Sequence, residues 1–360
     1  MTPQAPGTVA DRIIDGNLQA ADATSALAWL SDQADVWELM NAADRVRRAR
    51  FGNRVHLCSI INAKEGGCPE DCGFCSQSRH FSTHVAPSKF TAVETIVEDS
   101  DLARQRGASA LGLVTATRGL PDGSKGLDHV VEAVAAVRAA GHTEAHASVG
   151  FLSDDALDRL VDAGLTELNH NLESGRSFFK TIVCTHTYDE RIETIQRAKA
   201  KGLRTCVGGI FGMGETPKDR LELAQELRAL DVDEVPLNFL VSVDGTKLAG
   251  ASPLAPLAML RIIAVFRLFL PRQNIFMAAG RTHLGQLMPM MFAAGASGMM
   301  VGEFLTTPNR GVTDDLQMLE DLGLVPLRCG DGERPEVLQA AQSATPSVGA
   351  KRRNALPVLA

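Results

Sequence analysis

Eight short apolar runs alternate with longer stretches of helical periodicity between residues 55 and 302. No other feature of the 360-residue chain constrains its fold as strongly. The runs are VHLCSII (55–61), SALGLVT (109–115), EAHASVG (144–150), ELNHN (167–171), RTCVGGI (204–210), EVPLNFLV (234–241), NIFMAA (274–279) and SGMMVG (297–302). Parallel strands need long crossovers, and helices usually supply them. Strand and helix repeated eight times therefore predict an α/β fold, a (β/α)8 barrel of the TIM type. A doubly wound open sheet shares the local alternation and is the competing architecture. Helix signals support the alternation. Thr91 with Glu94 reads as a capping box, Ser153 as a cap for a helix that stops at Gly164, and Thr216-Pro217 as a cap followed by proline in the first turn.

Residues 32–50 place Val36, Leu39, Met40, Ala43 and Val46 on one helical face, whereas residues 1–30 read as a polar, Ala-rich, frayed start. The expected division is a helical extension over 1–50, the barrel over 51–325 and a mostly disordered tail over 326–360. The apolar stretch 257–270 contains Arg261 and Arg267 and is expected to pack on the barrel or at a dimer interface. No apolar run reaches the roughly 18 residues of a membrane span, and no basic start leads into an apolar leader. A net charge of −7 argues against a nucleic-acid partner. The expected setting is the cytoplasm.

Of seven cysteines, Cys68, Cys72 and Cys75 fall within eight residues, spaced C-x3-C-x2-C. A loop of this length can turn three thiolates inward onto three corners of a [4Fe–4S] cluster, leaving one iron open to a small molecule. Zinc with His80 or His84 as a fourth ligand is one alternative, and three ordinary loop thiols another. The cluster directly follows the first predicted strand, at the barrel face where active sites lie.

Cys-x3-Cys-x2-Cys after the first strand resembles the signature of the radical S-adenosylmethionine (SAM) superfamily. NAKEGGCPEDC (62–72), GFCSQS (73–78), NHNLE (169–173), THTYDER (185–191), CVGGIFGMGET (206–216), VPLNFL (235–240) and AGR (279–281) are together similar to the biotin synthase family. The resemblance implies a TIM barrel, a [4Fe–4S] cluster on Cys68, Cys72 and Cys75, and SAM cleaved to a 5′-deoxyadenosyl radical. It also implies conversion of dethiobiotin, or an analogue, with an electron donor such as flavodoxin or ferredoxin, and a homodimer. It assigns SAM and substrate contacts to Asn169, Asn171 and Glu173, where well-known members of the family carry Asp. Phe74 is assigned to the adenine, close backbone approach to SAM to Gly208 and Gly209, and the ureido ring of dethiobiotin to Asn238.

The family's second cluster, a [2Fe–2S] sulfur donor on three cysteines and an arginine, fits poorly. The resemblance assigns Cys206 and Arg281 to it, but Gly112 and His146 stand where the other two cysteines are expected. Cys184 or Cys329 could compensate, with Cys184 better placed; Cys58 is a third candidate. Sulfur insertion into dethiobiotin is one expected activity. The alternative is a related radical SAM enzyme lacking the sulfur-donor cluster and acting on another substrate.

Overall fold

The computed structural model describes residues 2–307 and 309–329, so the predicted tail lies largely outside the described residues. The strands are β1 (Arg54–Lys64), β2 (Ala110–Thr115), β3 (Glu144–Ser148), β4 (Leu165–Asn169), β5 (Arg204–Cys206), β6 (Gly209–Phe211), β7 (Glu234–Phe239), β8 (Asn274–Met277), β9 (Gly298–Met300) and β10 (Val325–Pro326). Every pairing is parallel, and β9 returns to pair with β1, which closes the barrel. The open-sheet alternative is thereby excluded.

The run 204–210 is one stave in two pieces. β5 pairs with β4 and β7, and β6 pairs with β7 and is bridged to Glu173 through Gly209. At the break, a side chain on Gly208 would place Cβ 1.9 Å from the Pro236 carbonyl oxygen. β10 is an addition outside the barrel, pairing Val325 with Arg54 at the N-terminal end of β1.

Ser153 caps the helix Asp154–Ala163 by accepting from the Ala156 N–H, and Gly164 ends it in the left-handed conformation. Thr216 and Asp219 form a complete capping box at the helix Pro217–Leu230. The box predicted at Thr91 and Glu94 does not form. Ala92 is the N-cap there, because the Thr91 hydroxyl donates instead to the Asn62 carbonyl, 2.8 Å away. The N-terminal residues are not frayed. Helices Pro6–Ile14 and Ala23–Trp29 bury Val9, Ala10, Ile13 and Trp29.

The helix Val36–Phe51 buries the predicted face of Val36, Leu39, Met40, Ala43 and Val46. It packs along Pro256–Phe269, which is enclosed from Met259 onward. Within that helix Arg267 is fully buried, and its guanidinium donates to four carbonyls and the Ser297 hydroxyl. Those bonds replace the water the charge loses.

Candidate active site at the barrel mouth

β1 feeds directly into the cysteine loop. The loop closes on itself where Cys68 N–H donates to the Gln77 carbonyl and Arg79 N–H to the Cys68 carbonyl. Gly66 is required at its start, because φ is +64° and a Cβ would meet the Ala86 carbonyl at 2.8 Å. The intervening acidic pair pins the loop to the segment after β4. Asp71 accepts from the N–H groups of Cys184 and Thr185. Glu70 accepts from Thr185, Arg118 and His186. Burial alone would raise the Glu70 carboxyl, and these three donors hold it below the usual range.

Two adjoining cavities, about 300 and 250 Å3, open beside this loop and share Ile60, Asn238, Met300 and Leu305 as walls. Cys68 and Cys72 line the larger, with Asn169, Asn171, Glu173, Cys206 and Asn238. Cys75 and Phe74 line the smaller. Burial raises all three thiols, Cys75 to about 11, and the neighbouring thiols add to the effect at Cys72 and Cys75. Such thiols stay protonated in the bare protein, and iron would hold them as thiolates. Three adjacent half-buried thiols on a braced loop fit a cluster with one open corner.

Glu173 stands at the same mouth with φ +69°, an uncommon value for a residue other than glycine. Burial raises its carboxyl, against the opposing pull of Arg191 and Asn171. Its Oε2 is buried without a hydrogen-bond partner. An orphaned acceptor facing the cavity fits a bound molecule that brings amino or hydroxyl donors, as SAM does. Arg191 orders this wall by donating to the Asn171 carbonyl at 2.6 Å and to His186.

Some expected residues are elsewhere. Gly208 and Gly209 approach protein backbone: their Cβ positions would lie 1.9 Å from the Pro236 oxygen and 2.6 Å from the Glu173 oxygen. Gly208 N–H donates to Asn171 Oδ1, so the glycines shape the wall without lining the cavity. Arg281 is fully buried in a 3-10 turn beyond β8, in a bidentate pair with Asp315, and reaches neither cavity. The β8 side chain that does enter the larger cavity is Phe276, which has no ligand atom. Cys184 is exposed, outside both cavities, and Cys329 is exposed beside Glu144 at the opposite end of the barrel. Cys58 does line the larger cavity.

The cavity's inner end carries groups that the sequence reading did not single out. Glu167 and Glu234 point inward from β4 and β7 beside Cys206. His146 pairs with Glu167 at 3.0 Å and His56 with Glu234 at 2.9 Å. Burial alone would lower His146; Glu167, Cys58 and Glu144 more than offset it and hold the imidazole up at about 10. Period-2 alternation offered a signal, since Glu167 precedes Asn169 by two residues on the same strand face.

The Radical SAM superfamily model matches residues 66–227, and the Biotin and Thiamin Synthesis associated domain matches residues 236–325. The biotin synthase of Trichlorobacter lovleyi is 46% identical over 319 residues, covering 88% of this chain and 95% of its own length. That of Geobacter sulfurreducens is 43% identical over 325 residues, covering 90% and 98%. Among solved structures, methylornithine synthase (PylB) superposes with a TM-score of 0.76 at 22% identity, covering 89% of this chain and 97% of its own. The hydrogenase maturase HydG superposes at 0.75 with 14% identity, covering 93% and 78%. These two likenesses are of fold.

Proposed function

We propose that this chain, which belongs to the biotin synthase family of radical SAM enzymes, converts dethiobiotin to biotin by sulfur insertion. The observation that carries the reading is convergence. Cys68, Cys72, Asn169, Asn171, Glu173 and Asn238 come from three separate parts of the sequence and wall one cavity. The chain's 46% and 43% identity to two biotin synthases, over 88% and 90% of its length, favours this reaction over a different substrate.

When bound, the [4Fe–4S] cluster and SAM supply one electron and a 5′-deoxyadenosyl radical able to take hydrogen from unactivated carbon. The chain binds, orients and excludes water. Cys68, Cys72 and Cys75 would hold the cluster. Glu173 and the carboxamides of Asn169 and Asn171 would accept from and donate to SAM, with Phe74 against the adenine from the neighbouring cavity. Asn238 is steadied by two backbone bonds, donating to the Gly209 carbonyl at 3.3 Å and accepting from the Ala279 N–H at 3.1 Å. One N–H and one lone pair remain for the ureido ring. Phe151 and Phe276 supply apolar wall for the substrate's hydrocarbon.

The usual [2Fe–2S] ligand set does not fit. Cys206 is the only one of the four expected ligands in place, so sulfur reaches the substrate from a source other than that cluster. A small redox protein such as flavodoxin or ferredoxin delivers the electron in the cytoplasm. No described helix is long and apolar enough to cross a membrane. Trp37 and Leu257, 56% and 41% exposed on two helices that pack together, offer an apolar face for a homodimer. Complementation of a biotin-requiring strain tests the function. The gene restores growth without biotin, and the Cys68→Ala, Cys72→Ala and Cys75→Ala variants do not; failure of the parent gene in a strain that accumulates the folded protein would contradict the reading.

A further inference from the structure

The inner end of the larger cavity gathers three ligand-bearing side chains. One carboxylate oxygen each from Glu167 and Glu234 and the Cys206 sulfur all lie within 4.8 Å of one another, and all three residues are buried. Glu167 is 1% exposed, Cys206 2% and Glu234 3%. They come from three neighbouring staves, β4, β5 and β7, so rigid strands fix the spacing rather than a loop.

The groups around these three residues hold both carboxylates in place. An imidazole holds an oxygen of each carboxylate: His146 on Glu167 and His56 on Glu234. Asn274 Nδ2 donates to the Glu234 oxygen at 3.0 Å, and Arg204 Nε approaches the other Glu167 oxygen at 3.4 Å. Groups that hydrogen-bond a ligating carboxylate in this way fix its orientation. The cavity supplies the entry path, because Glu167, Cys206 and Glu234 all line it. No described side chain here can complete three thiolates and an arginine, since Gly112 and Phe276 offer no ligand atom.

We propose that Glu167, Cys206 and Glu234 bind one divalent transition-metal ion of borderline softness, Fe2+ or Zn2+, with a coordination position open to the substrate cavity. A soft thiolate beside two hard carboxylates selects such an ion over Mg2+ or Ca2+, which take oxygen alone, and over Cu+, which takes sulfur. Three protein ligands leave the fourth tetrahedral position for a small molecule. The site stands on its own geometry and does not depend on the sulfur-insertion reading; a chain acting on another substrate would still carry it.

The test separates this site from the SAM cluster. The full-length Cys68→Ala/Cys72→Ala/Cys75→Ala variant, purified anaerobically, is titrated with Zn2+, Fe2+ and Co2+. It binds one equivalent, and Co2+ gives a thiolate-to-metal charge-transfer band. Adding Cys206→Ser removes the band, and Cys206→Ser or Glu234→Gln weakens binding at least about ten-fold. Circular dichroism and thermal melting confirm that each variant is folded. Cys184→Ser on the same background binds as before. The proposal is overturned if the folded triple variant binds no ion, if Co2+ binds without the sulfur band, or if Cys184→Ser abolishes binding while Cys206→Ser does not.

Discussion

Arg281 and Asp315 form an ion pair in which neither side chain has exposed surface. Removing one partner at that depth strands the other's charge, so Arg281→Leu lowers stability by about 3–5 kcal/mol, read from urea unfolding. Arg281→Leu combined with Asp315→Leu recovers much of the loss, because no charge is left stranded. If Arg281 were a cluster ligand instead, the single change would lower iron content and leave stability nearly untouched. Arg281 lies outside both cavities for a physical reason. AGR (279–281) matches the family in letters, but β8 ends at Met277, and the last inward side chains are Phe276 and Ala278. Beyond Gly280, in the left-handed conformation, the chain turns away. Cysteine spacing, by contrast, is readable directly, because an eight-residue loop fixes its own geometry. Glu167 and Glu234 passed unnoticed because their convergence depends on barrel closure, which no local spacing encodes.

Among the elements, the segment after β4 is the brace for the cysteine loop, and the helix Tyr188–Ala200 anchors it. Thr187 and Glu190 form its capping box, and Glu190 also pairs with Arg118, which reaches across to Glu70. The Thr187 N–H, its hydroxyl and Arg118 together hold the Glu190 carboxyl below its ordinary 4.5. A carboxylate whose folded pKa is lowered stabilises above the unfolded value. That contribution falls away as pH drops from about 4.5 through the lowered folded value. Glu190→Gln keeps the capping geometry and removes the charge, so it costs only about 0.5 kcal/mol at neutral pH, the side chain being partly exposed. The gap between parent and variant closes as pH falls below 4.5, as paired urea titrations at several pH values would record. The caps at Ser153 and Thr216 were legible because each is a short-range hydrogen bond. The box at Thr91 was not, because a tertiary partner, the Asn62 carbonyl, took its hydroxyl.

For the whole molecule, the eight runs are enough to specify a closed barrel, since each was long enough to show its apolar character. The two-residue β10 and the break between β5 and β6 were invisible in the sequence. One depends on backbone pairing with no side-chain pattern, and the other on the near contact of Gly208 with Pro236. The N-terminal helices are not legible in the sequence because each is short, with only Val9, Ala10 and Ile13 or Ala26 and Trp29 as its apolar face, and those groups find burial only against Val36–Phe51 and its neighbours. The barrel brings the cysteine loop, the strand-end carboxamides and the inner Glu–Cys–Glu group onto one cavity axis, and that arrangement underlies the functional claim. The most direct test uses dethiobiotin deuterated at the carbons that sulfur bridges in biotin. It is incubated anaerobically with the iron-reconstituted protein, SAM, a chemical reductant and sulfide. The account predicts deuterium in 5′-deoxyadenosine, formed only with Cys68, Cys72 and Cys75 intact and accompanied by biotin. Unlabelled 5′-deoxyadenosine, formed at the same rate with and without dethiobiotin, would contradict it.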